Sequence, residues 1–275
     1  MKNIVINCRF LTQKISGVQR FGIEITKQLL KINKNIICVS PKNILDTDLA
    51  KQLHVKKIGF NSGHLWEQID LPIFLLKKKA LLINLANTGP IIYFNKVLTL
   101  HDITFIRYPK TFSFKFSTLY KILIPILLKT SKRIFTVSNF SKKEIISYYN
   151  IHQNKISVIY NAVSYRKKAY NKCNLSKDRY MLAVSSIAPH KNFSTLVNAF
   201  SLIDDKDVKL YIVGSQNKNF QTINADRATN NKIVFLGGVD DNRLSELYLN
   251  AICFIHPSLY EGFGIPPLEA QYHET

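Results

Sequence analysis

Short apolar runs along this chain alternate with longer stretches in which apolar residues return every three or four positions. The first run carries Ile4, Val5 and Ile6 within residues 2–7. Val18, Phe21, Ile25, Leu29 and Ile32 follow it and share one face at helical spacing, so a strand leading into an amphipathic helix is predicted. Further strands are expected at residues 36–39, 80–85, 97–100, 133–137 and 156–159. Between the last two, Ser141 and Glu144 have the spacing of a capping box, which would open a helix to about Tyr149. A polar stretch at 165–179, rich in Lys and Asn, separates this set from a second one. That set has a strand at 180–184, a helix from Asn192 to about Ile203, and strands at 210–213, 233–236 and 253–256.

This alternation predicts an α/β architecture with parallel sheets. Two Rossmann-like domains are expected, 1–170 and 171–275, joined within the polar stretch. The length of 275 residues and the 46% hydrophobic content suffice for two such cores.

Charge changes the picture of partners. Lys and Arg number 38 against 18 Asp and Glu, a formal net charge of +20. Lysine-rich codon usage throughout is one reading of this excess; an anionic binding partner is the other. No helix-turn-helix, zinc-finger or ribonucleoprotein-type signature occurs and the lysines are dispersed, so no nucleic acid is expected and an anionic membrane surface is the favoured partner. The apolar runs at 71–76 and 122–128 are shorter than the ~20 residues that span a bilayer, and the second contains Pro125. The first apolar run is broken by Asn7 and Arg9, too early for a signal-peptide core. A cytoplasmic location is expected, with peripheral contact at the inner face of the membrane. Cys8, Cys38, Cys173 and Cys253 form no CxxC or Cys/His pattern. Asp46-Thr47-Asp48 has the D-x-D form of a metal site, but no predicted strand precedes it and a helix cap is the preferred reading. No metal is expected.

The segment richest in chemistry is Ser258-Leu259-Tyr260-Glu261-Gly262-Phe263-Gly264-Ile265-Pro266-Pro267-Leu268-Glu269-Ala270. It follows a strand, and prolines at a helix start sacrifice no hydrogen bond, so it reads as strand, glycine loop and helix N-terminus, a setting suited to anions. Gly262 and Gly264 permit close backbone approach. Glu261 can accept from sugar hydroxyls, and Glu269, one turn into the helix, can take both hydroxyls of a ribose. A bare pair of carboxylates at this spacing also fits a solvated loop residue and a helix-dipole partner.

The whole segment resembles the E-x7-E signature of the family 4 retaining glycosyltransferases of the GT-B fold, and the resemblance runs along nearly the whole chain. It implies that Glu261 contacts the donor sugar, that Glu269 contacts the nucleoside ribose, and that Phe263 belongs to the same donor-binding loop. Residues 181–192, ending in Pro189-His190-Lys191-Asn192, resemble the opening of the family's second domain, where an Arg-Lys pair grips the donor diphosphate. Lys191 matches the lysine, while His190 stands in place of the arginine and cannot make a bidentate fork to phosphate. On the residues alone, Asn192 also reads as a helix cap and Lys191 as a solvated charge. Ser16-Gly17-Val18 resembles the family's glycine loop, which places Gly17 near the donor β-phosphate and the acceptor. His101-Asp102 follows a predicted strand, at the end where ligands of open α/β sheets bind, and the resemblance implies a donor-sugar contact for His101.

The expected function is therefore transfer of a sugar from a nucleotide diphosphate sugar to a glycan or lipid-linked acceptor in cell-surface polysaccharide synthesis, with retention of configuration. His101, Lys191 and Glu261 are the expected catalytic residues, and no cofactor beyond the donor substrate is expected. After Ala270 the chain departs from the family pattern and stops at Thr275, so the second domain is expected to be truncated and activity impaired. A non-catalytic remnant or binding module is the alternative, and a sugar epimerase or phosphorylase on the same fold is a further one.

Overall fold

The computed structural model describes residues 3–163, 179–214 and 232–275. The chain divides into two compact units, Met1–Arg107 with Ser113–Asn161, and Tyr108–Phe112 with Ala162–Thr275. Of the expected linker, Arg179 opens a strand, and the rest lies outside the described residues.

The first unit holds the strands β1 (Ile4–Asn7), β2 (Ile37–Ser40), β3 (Lys56–Lys57), β4 (Leu81–Asn84), β5 (Lys96–Thr99), β6 (Arg133–Thr136) and β7 (Ile156–Val158). They pair in parallel in the order β3-β2-β1-β4-β5-β6-β7. Its helices are α1 (Gly17–Ile32), α2 (Thr47–Gln52), α3 (Gly63–Gln68), α4 (Asp70–Lys78), α5 (Thr104–Arg107), α6 (Phe114–Thr130) and α7 (Asn139–Tyr149). Successive strands run outward in opposite directions from β1 and β4, so the topological switch point lies at the carboxyl ends of that pair, at Asn7 and Asn84. Over one face, Val5, Val39 and Leu82 pack against Trp66, Leu71 and Leu75 of α3 and α4. Each such buried side chain contributes about 1.5–3 kcal/mol.

Local chemistry explains where several helices begin. Asp46 caps α2, its Oδ1 accepting from the Leu49 N–H at 2.9 Å, as the cap reading of Asp46-Thr47-Asp48 requires. The expected capping box at Ser141 and Glu144 is not formed. Ser138 is the N-cap of α7 and its hydroxyl accepts from the Ser141 N–H, while Glu144 forms a two-point ion pair with Arg107. The box pattern was in the wrong register because α7 begins three residues earlier than its most recognisable motif. Ser16 and Gln19 form the reciprocal box at the start of α1. Cys8 and Cys38 are free and buried, one just past β1 and the other in β2.

The second unit holds β8 (Arg179–Val184), β9 (Val208–Val213), β10 (Ile233–Gly237) and β11 (Cys253–Phe254), parallel in the order β10-β9-β8-β11. Its helices are α8 (Phe193–Phe200), α9 (Asp241–Asn250) and α10 (Ile265–Tyr272). Side chains of β8 and β9 alternate between two cores, as a period of two demands. Ala183, Leu210 and Ile212 meet Phe193, Leu196 and Phe200 of α8 on one face. Tyr180, Leu182, Tyr211 and Val213 meet Leu247 and Tyr248 of α9 and Ala270 of α10 on the other. At the carboxyl end of β9, a Cβ on Gly214 would lie 1.7 Å from the Ser185 carbonyl oxygen, so only glycine lets these two chain segments approach. The GT-B assignment requires two α/β cores of this parallel type.

Candidate functional site

In the second unit, the chain leaves β11, crosses residues 255–264 and enters α10. Gly264 is the N-cap of α10 and holds φ 85°, a left-handed conformation that favours glycine. Pro266 and Pro267 follow in the first turn, where their missing N–H groups cost no helical bond. The sequence-derived strand, loop and helix are therefore present. Glu261 projects from the loop and Glu269 from the helix.

Lys191 ends a single 3-10 turn after β8, and its ammonium forms an ion pair with Glu261 Oε1. Their side chains are 12% and 25% exposed, which excludes the fully solvated lysine of the alternative reading. Ser258 Oγ donates to the same carboxylate oxygen at 3.2 Å, and His256 Nε2 stands 3.4 Å from it. Burial lowers the His256 pKa, with the Glu261 charge opposing and the Lys191 charge reinforcing that shift. His256 is thus neutral near pH 7. The two residues expected from separate motifs, 70 positions apart, form one charged centre at the carboxyl edge of the sheet.

Glu269 accepts from the Tyr248 hydroxyl at 3.0 Å through Oε2. Asn192 takes the N-cap position of α8 in a left-handed conformation without a side-chain cap bond to the backbone; its amide donates to the Pro257 carbonyl at 3.3 Å, tying the lysine turn to the glutamate loop. His190 is buried, its Nδ1 3.2 Å from Thr111 Oγ1 and its ring 5.8 Å from that of Tyr108. Gly262 is buried and Phe263 half-buried in the same loop.

The first unit carries the remaining candidates. Gly17 is the exposed first residue of α1, behind the Ser16 cap. His101 follows β5 and is 4% exposed, edge-on to Phe21 at 4.9 Å. Its Nε2 lies 3.0 Å from the Leu85 carbonyl oxygen, which can only accept, so the ring carries its proton there and presents Nδ1 as an acceptor. Burial lowers its pKa, outweighing the Leu85 bond and the Asp102 charge. Asp102 caps the turn into α5, accepting from the Thr104 N–H at 2.8 Å.

Three features escaped the sequence. At the switch point, Glu67 accepts from Asn7 Nδ2 at 2.7 Å and from Thr88 Oγ1 at 2.8 Å, and lies 3.3 Å from Arg9 Nε. Burial would raise the Glu67 pKa, but the Arg9 charge and the His64 and Thr88 contacts hold it below the usual value. No motif joins these positions; Arg9 stood out only as a charge interrupting an apolar run. Tyr248 and His256 were likewise hidden, one inside a helical pattern and the other at a strand end. Among the described residues, no group of three or more His, Cys, Asp and Glu could hold a metal ion.

Residues 166–275 match the family model described as glycosyl transferases group 1, and residues 92–167 match that of glycosyltransferase family 4. Together these two glycosyltransferase matches run without a gap from residue 92 to residue 275. The O-antigen chain mannosyltransferase RfbU of Salmonella typhimurium is 34% identical over 183 residues, covering 66% of this chain and 50% of the relative. The O-antigen chain mannosyltransferase B of Escherichia coli is 32% identical, covering 52% of this chain and 42% of the relative. The chain thus spans about half the length of the curated relatives it matches. Among solved structures, Anabaena Alr3699/HepE in complex with UDP and glucose superposes with a TM-score of 0.69 at 17% identity, over 98% of this chain and 78% of that one. The lipopolysaccharide outer core galactosyltransferase WaaB, in its apo form, gives 0.62 at 14% identity, over 99% and 78%. The fold is GT-B, an α/β fold with parallel sheets.

Proposed function

We propose that this glycosyltransferase moves a sugar from a nucleotide diphosphate sugar to a hydroxyl of a glycan or lipid-linked acceptor in cell-surface polysaccharide synthesis, retaining anomeric configuration and using no metal. The observation that carries the reading is the partly buried Lys191–Glu261 pair at the sheet edge, with Glu269 one turn into α10. Lys191 stabilises the charge that develops on the leaving diphosphate as the C1–O bond breaks. Glu261 accepts from donor-sugar hydroxyls and Glu269 from the ribose. His101, neutral with Nδ1 as acceptor, orients a sugar hydroxyl. The acceptor oxygen bonds to C1 on the face the diphosphate leaves, and its proton passes to the departing phosphate oxygen, so no protein nucleophile is consumed. The relatives named as O-antigen mannosyltransferases support the acceptor class, and the neighbour holding UDP and glucose supports the donor class.

The reaction is placed at the inner face of the cell membrane, where a lipid-linked acceptor is presented. The charge of +20 supports this, and among the described residues no helix is long and apolar enough to cross a membrane. The test is calorimetric titration of the purified chain with a panel of nucleotide diphosphate sugars, followed by product analysis with an O-antigen-type acceptor. Binding of one donor, abolished transfer in Lys191→Met and a glycosidic product are expected. No binding across the panel, or an epimerised or phosphorolysed product, would overturn the proposal.

A further inference from the structure

The first unit carries an unpartnered apolar surface flanked by lysines, built by two helices on the same side of its sheet. Leu82 and Lys96 are register partners on β4 and β5 and so project to one face. Leu82 packs against Leu71 and Leu75 of α4, and the Lys96 ammonium donates to Thr130 Oγ1 at the end of α6. Both helices therefore cover that face. The right-handed crossover rule gives the same result, because β3 to β4 and β5 to β6 step in the same direction across the sheet.

Each helix is apolar on its outer side as well as its inner one. Ile73 and Leu76 of α4 and Leu119, Ile122 and Ile126 of α6 are exposed, Leu76 at 66% and Ile122 at 62%. Ile92 and Phe94, in the loop before β5, are each 63% exposed. A surface helix of a monomer normally turns polar residues outward, and large apolar side chains exposed on two helices of one sheet face mark an interaction site.

Charge identifies the occupant. Lys115, Lys121 and Lys129 are exposed along α6, which contains no Asp or Glu, and Lys77, Lys78 and Lys79 are exposed at the end of α4. The acid at the start of α4, Asp70, is engaged by the N–H groups of Phe60 and Asn61 at 3.2 and 3.0 Å. A second copy of this chain would set lysine against lysine, which opposes self-association through this face. An anionic bilayer satisfies both features, since the apolar side chains enter the acyl boundary while the lysine stems carry their ammonium groups to the headgroups.

We infer that the outer faces of α4 and α6 form a membrane-docking surface for an anionic lipid bilayer. This rests on the membrane contact proposed above and assigns it to particular residues. The test is flotation of the full chain with phosphatidylcholine vesicles, with and without phosphatidylglycerol, in the absence of donor and acceptor. Its failure therefore leaves the transferase reading standing, and a failure of donor binding leaves this one standing. The chain is expected to float with the anionic vesicles only and to be released by high salt. Lys78→Gln and Lys121→Gln should each weaken partitioning roughly fivefold, and Ile122→Glu should abolish it with unchanged circular dichroism. Absence of flotation with anionic vesicles, or variants that float as the parent does, would overturn the inference. So would sedimentation showing a dimer that Ile122→Glu dissolves. The lysine variants keep the test valid if Ile122→Glu fails to fold, because those stems are exposed.

Discussion

Replacing Tyr248 by phenylalanine separates the support of Glu269 from the packing around it. The ring is 1% exposed, tilted against Phe254 at 5.7 Å and stacked on His273 at 5.2 Å, and phenylalanine preserves all of this. What is lost is the hydroxyl that donates to Glu269 Oε2 at 3.0 Å. A hydrogen bond to a charged group contributes about 1.5–3 kcal/mol, and the half-buried carboxylate places this one at the lower end. For a unit of this size, such a loss lowers Tm by roughly 6 °C. With its anchor removed, the carboxylate samples more orientations, and nucleoside diphosphate affinity should fall by about threefold to tenfold. Glu269→Ala deletes the ligand itself and should weaken binding by about a hundredfold, two hydrogen bonds at the lower figure. Differential scanning calorimetry reads the first effect and isothermal titration the second. An unchanged Tm in Tyr248→Phe would refute the hydrogen bond, and unchanged affinity in Glu269→Ala would remove Glu269 from the ribose site.

Lys96 is fully buried, its ammonium donating to the Tyr93 carbonyl at 2.7 Å and to Thr130 Oγ1 at 2.8 Å, and burial lowers its pKa from 10.5 to about 8. Between those values the unfolded chain binds more protons than the folded one, so stability should rise with pH from about 8 to 10.5. Urea unfolding should show that rise in the parent and not in Lys96→Met; equal slopes in the two proteins would refute it. His190→Arg places a longer, permanently charged side chain where His190 is buried against Tyr108 and Thr111, so Tm should fall by several degrees. Tighter diphosphate binding at unchanged Tm would show instead that the position still faces phosphate.

Sequence made the strands legible because each buried strand leaves a compact apolar run. Every predicted strand has its counterpart within about two residues, with β8 and β9 opening one and two residues earlier than expected. The strand β3 is two exposed lysines and leaves no such run. Helix α6 is apolar on both its inner and outer sides and interrupted by Pro125, so its periodicity is flattened. At the site, the motif identified Glu261, Lys191 and Glu269 as residues of interest. It could not show that Lys191 and Glu261 are already paired, nor that Tyr248 supports Glu269, because those contacts join residues 70 and 21 positions apart. The charged cluster of Arg9, Glu67 and Thr88 depends on tertiary contact in the same way.

The pairing of Lys191 with Glu261 means that the ligand-free site carries its own counter-ion. A diphosphate bound at Lys191 as proposed would not meet a bare cation; it would displace a carboxylate that already sits on it. On the proposed reading, binding is an exchange of one anion for another, and the displaced carboxylate becomes available to the sugar at the moment the ammonium turns to the phosphate. Donor recognition and diphosphate recognition are thereby coupled through a single ion pair. The same exchange run backwards would hasten the end of the cycle: once the sugar has gone, the return of Glu261 to Lys191 would compete with the spent nucleotide and shorten its residence.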